Sequence, residues 1–382
     1  MTQEILNRNR RTIFPLLGAV TIGAIAVVGS ATTAKAAFTP VSRNKSELML
    51  EQSPGVLGKI RQTLFSISSE QATFAKRGFY PTNHQTQQHL ERIGKTFLEG
   101  YQIAIALSNP DRVIPQLNRI ESEYRGFAFE GAAMGLALLD CLTFSNCARI
   151  KQFLATEGQN HIYMTYVGMG WLLGRLPRLF LQSQFNLFEK AKDDASHTPD
   201  SPTFRDPLLG WLTIDGYGFH QGYFNWRTYV QGILPPQNLS GYSCRVFDQG
   251  LGRSLWFVKG ANLDAIQVAI AQFQPDRRAD LWSGIGLACA YAGGVEKAAI
   301  EGLRNLAQSY YPELAQGVTF AAKTRLRAGN LTENTEIAAQ ILCGMSAQKA
   351  AAITDSCLED LSYGQTVPAY EQWRLRIQQH FI

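Results

Sequence analysis

Apolar residues recur at three- and four-residue spacing through Gln88–Leu107, Gly131–Cys141, Tyr163–Leu176, Ile266–Phe273, Leu281–Ala292 and Glu313–Arg327. That is the period of an α-helix with one face in a core. Alternating β-branched runs bounded by turns are nearly absent, so there is little from which to build strands. The punctuation agrees. Ser108-Asn109-Pro110-Asp111 ends one helix and opens the next, and Ala328-Gly329-Asn330 reads as a stop. The pattern predicts an all-α protein.

Phe188–Pro207, with its Lys, Asp, Ser, Thr and three prolines, reads as an exposed loop that divides the chain. The two sides resemble each other. Phe97-Leu-Glu-Gly100 matches Phe247-Asp-Gln-Gly250 at an offset of 150, and Arg125, Phe129, Gly131, Met134 and Ala137 match Arg278, Trp282, Gly284, Leu287 and Ala290 at 153. Gly168 and Trp171 answer Gly317 and Phe320 at 149. These matches predict two pseudo-symmetric, diverged helical-repeat halves forming one compact helical array. The expected division is 1–36 export segment, 37–59 linker, 60–187 first half, 188–207 loop, 208–360 second half and 361–382 C-terminal amphipathic helix. An aromatic-x-x-Gly pattern recurs at Phe97–Gly100, Phe219–Gly222 and Phe247–Gly250. Glycine inside a helix costs roughly 1 kcal/mol against alanine, so its repetition points to close helix contact; the other reading is room for a flat ligand.

Composition changes the picture at the N-terminus. Arg8, Arg10 and Arg11 precede an uncharged run from Thr12 to Ala31, followed by Ala34-Lys35-Ala36. This reads as an export signal cut before Ala37, or as an anchor if uncut, and either places the remainder outside the cytoplasm. Residues 1–36 hold four basic residues and one acid, which leaves 32 basic and 30 acidic residues, a net charge of +2. No basic run with interleaved aromatics remains, so nucleic acid is excluded as a partner. Of six cysteines, Cys141 and Cys147 flank a short turn that a disulfide would close; Cys343–Cys357 is a weaker pair, and Cys289 reads as a buried thiol. No spacing of Cys and His suits zinc, and no cofactor motif is present.

Two groups of residues are candidates for chemistry. Asp215, Tyr217, His220 and Tyr223 fall within ten residues containing three glycines, and a helix would bring His220 near both tyrosines. Such a cluster relays protons or holds a polar ligand head, or it is simply a buried hydrogen-bonded group. Glu130, Asp248, Arg253, Arg278 and Asp280 form the second group. Arg125 and Arg278 hold equivalent places, for which a salt bridge to a nearby acid is the structural reading. His161 reads as a cap or surface residue.

Arg125-Gly-Phe-Ala-Phe-Glu-Gly-Ala-Ala-Met134, Ala75-Lys-Arg-Gly-Phe79, Tyr163-Met-Thr-Tyr-Val-Gly-Met-Gly-Trp171, Asp215-Gly-Tyr-Gly-Phe-His-Gln-Gly-Tyr-Phe224, Phe247-Asp-Gln-Gly-Leu-Gly-Arg-Ser-Leu-Trp256 and Arg278-Ala-Asp-Leu-Trp-Ser-Gly-Ile-Gly-Leu287 resemble a bacterial family. This is the UnbL family, associated with enediyne biosynthesis gene clusters, and the resemblance spans roughly residues 60–360. Relatives are encoded near a β-propeller-like protein and a polytopic membrane protein. The resemblance implies no catalytic residues. Two functions of different class follow. One is an exported, non-catalytic helical subunit docking on a membrane or β-propeller partner. The other is an enzyme or carrier for a hydrophobic, polyene-like small molecule.

Overall fold

Helices here begin and end where local chemistry supplies the caps. Asn83, Asn109, Asn262, Thr332 and Ser346 each accept a hydrogen bond from a first-turn backbone N–H. Pro110, Pro275 and Pro312 stand in first turns, where no intrahelical donor is lost. The computed structural model describes residues 54–175, 206–236, 239–363 and 366–382, all within the unit Met49–Ile382. Among the described residues there are sixteen α-helices and no strand. They are α1 Val56–Phe65, α2 Phe74–Arg77, α3 His84–Leu107, α4 Pro110–Leu117, α5 Ser122–Thr143, α6 Ala148–Leu154, α7 Ile162–Leu173 and α8 Trp211–Phe224. Then follow α9 Tyr242–Val258, α10 Leu263–Ala271, α11 Pro275–Ala292, α12 Lys297–Ala307, α13 Tyr311–Arg327, α14 Glu333–Leu342, α15 Ala347–Ser356 and α16 Ala369–Gln378. The all-α array expected from periodicity is what the chain forms.

Eight helices make an inner row in the order α3, α5, α7, α8, α9, α11, α13, α15, each packed on the next. Several of these are buried on every side, as α7 and α8 are, which suits a helix surrounded by others. The shorter α4 and α12 bury only one face, through Val113, Ile114 and Leu117 or Ile300, Leu303 and Ala307, and lie outside the row. α5 is long and apolar enough to cross a membrane, but 78% of that stretch is buried within the protein.

Glycines set the spacing of the row. A methyl group on Gly131 would overlap the carbonyl oxygen of Phe97 in α3, and one on Gly100 would overlap that of Ala128 in α5. The same reciprocal arrangement joins Gly170 and Gly216, Gly218 and Gly250, Gly252 and Gly284, and Gly286 and Gly317, each meeting backbone of the adjoining helix. Close packing, not ligand room, is therefore what these glycines provide. The first glycine of each pattern recurs at Gly216, Gly250, Gly284 and Gly317, spacings of 34, 34 and 33 residues. The seam between α7 and α8, on either side of the dividing loop, is built like the others. The row is thus a short repeat running continuously, and offsets near 150 span four members of it; a two-copy duplication is not visible in these contacts.

The row also curls back on itself. Thr86 Oγ1 donates to Gly294 O at 2.7 Å, joining the start of α3 to the end of α11. Arg325 Nη1 donates to Glu123 O at 2.6 Å and Asn330 Nδ2 to Ser122 O at 3.1 Å, joining α13 to α5. The expected export segment 1–36 and nearly all of loop 188–207 lie outside the described residues. Of the expected linker, residues 56–59 belong to α1. The C-terminal helix is shorter than expected and largely buried, with Tyr370, Trp373, Arg374 and Ile377 inside.

Candidate functional site

In five helices of the row the residue preceding the first seam glycine is a polar one carried into the interior, because the glycine holds that side of its helix against the neighbour. Glu130, Asp215, Gln249, Ser283 and Gln316 occupy this position and all are buried. Gln249 Nε2 donates to Asp215 Oδ2 at 2.9 Å and to Tyr370 OH at 3.0 Å. Ser283 Oγ donates to Gln316 Oε1 at 2.8 Å. One turn beyond Gln249, Arg253 donates from Nη1 to Asp215 Oδ1 and places Nη2 3.9 Å from Glu130 Oε1. Trp171 Nε1 donates to that same Glu130 oxygen at 2.8 Å. Two carboxyls from α5 and α8 thus flank one guanidinium from α9.

This ionic group stands at the wall of a cavity of about 50 Å³. Phe97 from α3, Phe127 from α5, Trp171 from α7 and Phe219 and Tyr223 from α8 line it, with Arg253 and Glu130 as polar wall and Arg175 as a further cation. Trp171 is the hub of the aromatic packing: its ring lies 4.3 Å from Phe97 and 5.0 Å from Phe219 between centroids. Arg253 lies over the Phe219 ring at 4.9 Å. A second cavity of about 40 Å³, walled by Tyr163, Leu212, Phe320 and Trp373, shares Arg253, Leu287 and Tyr291 with the first. Arg253 therefore stands between two apolar chambers.

Burial pushes the Glu130 carboxyl up to about 7, against the opposing pull of Arg253 and the Trp171 hydrogen bond. An acid whose folded pKa is raised holds its proton longer in the native state than in the unfolded chain. It costs nothing below the unfolded value near 4.5, and its full destabilisation is present above about 7. Glu130→Gln removes this dependence. The stability of Glu130→Gln relative to wild type is expected to rise by roughly 3 kcal/mol from pH 5 to pH 8. Urea melts across that range check it; a flat difference would show that Glu130 is not proton-linked.

The structure redistributes the sequence candidates. Asp215, Glu130 and Arg253, drawn from both groups, meet at one point. The expected cluster of Tyr217, His220 and Tyr223 does not form. His220 packs against Trp171 and Phe224, with ring centroids 5.7 and 4.8 Å away, and its Nδ1 has no hydrogen-bond partner. Tyr217 meets Phe247, and Tyr223 meets Phe79 and Phe219. Each ring packs on aromatic rings, from α8 itself and from segments beside it. Burial lowers His220 to about 3, which keeps the ring neutral.

Asp248 forms a two-pronged pair with Arg277, at 2.6 and 2.8 Å, away from the cavity. Asp280 is claimed by Arg374 and Arg245. Arg278 makes no salt bridge: it donates to Phe273 O and Ala271 O, as Arg125 donates to Ile120 O. The two arginines do act alike, but as backbone anchors between a short helix and the next inner one. His161 is buried, not exposed; its ring stacks on Phe129 at 3.9 Å, and burial lowers its pKa to about 4. No disulfide joins the six cysteines, all of them among the described residues. Cys141, pushed up to about 11 by burial and by neighbouring Cys147, keeps its proton; Cys343 Sγ faces Ala315 O and Cys357 faces His380. Cys289 is a buried thiol. No group of three or more metal-ligating side chains occurs among the described residues.

Trp171, Gln249, Arg175 and Tyr370 belong to the site without having been singled out. Gln249 had a signal: aligning the chain on its glycines at a spacing of 33–34 residues puts it in register with Asp215, Ser283 and Gln316. Trp171 and Tyr370 had none, because their roles depend on which helix faces which.

No curated protein and no solved structure matches the chain. One family model, described as a protein of unknown function (DUF1702), matches residues 56–381. That span starts on the first residue of α1 and takes in the whole glycine-seamed row, both cavities and α16. The chain belongs to the DUF1702 family.

Proposed function

We propose that this protein binds an apolar small molecule in the cavity between α3, α5, α7, α8, α9 and α11, and does so outside the cytoplasm. The supporting observation is a buried chamber walled by Phe97, Trp171, Phe219 and Tyr223 with a carboxyl and a guanidinium on one side. Binding sites for small molecules are typically apolar concavities with few, convergent polar groups, one of them shifted in pKa. At about 50 Å³ the chamber suits a slender chain or the edge of a flat ring. A carrier of hydrophobic molecules, the second of the two functions considered from sequence, is the reading this supports. Solvent extraction of protein purified from membrane-containing lysate, followed by mass spectrometry, is expected to yield one apolar compound in near-stoichiometric amount. Ala288→Leu, which fills the chamber wall, is expected to lower that yield at least about tenfold while keeping a cooperative melt. A protein that melts normally and carries no such compound would count against the proposal.

A docking role is supported by one separate observation. α1 presents Val56, Leu57, Ile60 and Leu64 to solvent on one face, with Lys59 on its flank. The occupant we propose is an anionic bilayer, reached by the segment downstream of the uncharged Thr12–Ala31 run. Leu57→Glu with Leu64→Glu should then reduce protection of residues 56–65 from hydrogen exchange by phosphatidylglycerol vesicles; unchanged protection would exclude it.

A further inference from the structure

Arg253 gives one hydrogen bond, from Nη1 to Asp215. Among the described residues its Nε and Nη2 groups have no acceptor within hydrogen-bond distance, and the side chain lines both chambers. An arginine is a fork of five donors, and a buried one with two unfilled nitrogens beside an apolar space is a receptor for an acceptor group. We propose that the ligand of this cavity is an apolar monocarboxylate, its carboxylate bound by Arg253 while Glu130 takes up one proton. This rests on the cavity reading above and specifies the ligand's head group.

Charge balance supports the choice. Buried Arg253 and Arg175, which is exposed at the cavity rim, sum to zero against the buried Asp215 and Glu130 when all are ionised. A ligand carboxylate then adds an uncompensated buried negative charge, which low-dielectric surroundings penalise heavily. A proton on Glu130 removes it. Glu130 is the group placed to take that proton, because Arg253 Nη2 is 3.9 Å away from it, too far for a hydrogen bond, whereas Asp215 is bonded to both Arg253 and Gln249. The groups facing Glu130 are Arg253 from α9, Asp215 from α8, Tyr291 from α11 and the Trp171 indole from α7; α3 offers only uncharged residues such as Ile93 and Phe97. Burial has already brought the Glu130 carboxyl to about 7, so the proton is available near neutrality. An ammonium head would instead lie against the buried Arg253 guanidinium. A neutral hydroxyl would leave an Arg253 donor unfilled.

Octanoate, 1-octanol and octylamine, which share one slender body, test the assignment by titration calorimetry on the full chain. Octanoate is expected to bind at least about tenfold more tightly than either of the others. Titrations in buffers of different ionisation enthalpy should show close to one proton taken up per octanoate above pH 7, with affinity falling about tenfold per pH unit there. Glu130→Gln, which carries the protonated form's shape permanently, should bind octanoate with no proton uptake and no pH dependence; a merely structural Glu130 would leave the uptake unchanged. Equal binding of all three probes would overturn the head-group assignment while leaving the cavity reading intact. Tightest binding of octylamine would overturn it in favour of Glu130 as the anchor. Binding of none would overturn both.

Discussion

Gly284→Ala is expected to destabilise the protein by about 3 kcal/mol or more, although it adds a single methyl group. The new methyl would overlap Gln249 O and lie 2.6 Å from Arg253 N, both backbone atoms of α9. No rotamer change relieves that clash. The two helices must separate, and with them the dispersion contacts along the seam are lost. Because the methyl presses on the backbone of Arg253 itself, the ionic group at the cavity should loosen as well. A fall in Tm of roughly 5 °C or more follows for a chain of this size. Gly302 is the control. It lies in the outer helix α12, and a methyl there meets nothing closer than Leu263 at 3.7 Å. Gly302→Ala should therefore stabilise by about 0.5–1 kcal/mol, through helix propensity and a less flexible unfolded chain. Thermal and urea melts of the pair give the comparison. Equal effects in the two positions would remove the close-packed seam as the basis of the fold.

The second large effect is expected at Arg374, which is wholly buried on α16. Its Nη2 donates to Asp280 Oδ1 at 2.7 Å, its Nη1 to Glu371 Oε2 at 3.2 Å and its Nε to Gln316 Oε1 at 3.3 Å. Arg245 shares both acids, and Tyr242 OH donates to Glu371 at 2.7 Å. Two arginines and two carboxylates thus fasten the C-terminal helix to α9, α11 and α13. Arg374→Met leaves the buried acids with half their cationic partners, and breaking a buried pair in this way costs about 3–5 kcal/mol. Hydrogen exchange should show α16 opening first, since its hold on the array is this network plus Trp373 and Tyr370. Asp280→Leu combined with Arg374→Met should recover part of the loss, because an uncompensated charge is the larger penalty. A double variant no more stable than Arg374→Met alone would show that packing, not charge, holds the helix.

Much of the architecture was legible because helices are local objects. Asn83, Asn109 and Thr332 cap helices through atoms two or three residues away, and a 3.6-residue apolar period needs no tertiary knowledge. The breaks at Ser108-Asn109-Pro110 and Ala328-Gly329-Asn330 came out as read. So did the glycine seams, since glycine in a helix interior is unfavourable unless something replaces the missing side chain. The matches at offsets near 150 are similarities between members of one row four steps apart, and a two-copy duplication is not shown by the contacts. The shorter period near 34 residues was masked by the 48 residues between Gly168 and Gly216, across the loop.

Chemistry was harder to place, and His220 shows why. Its neighbours three residues away on α8 were legible, yet the ring's partners are Trp171 on α7 and Phe224, and only the first of these decides its environment. Glu130, Asp215 and Arg253 were each legible as polar residues on apolar helices. Nothing in the chain order says that residues 130, 215 and 253 share one cluster, because that depends on how tightly the row curls. Likewise Asp280, a candidate of the second group, is closed off by Arg374, ninety-four residues later. Hydrophobic period, caps and glycine spacing act over a few residues and fixed the helices and their close spacing. The curvature of the row, a sum of small rotations at each seam, brought the distant polar residues together, and only the tertiary structure carries that sum.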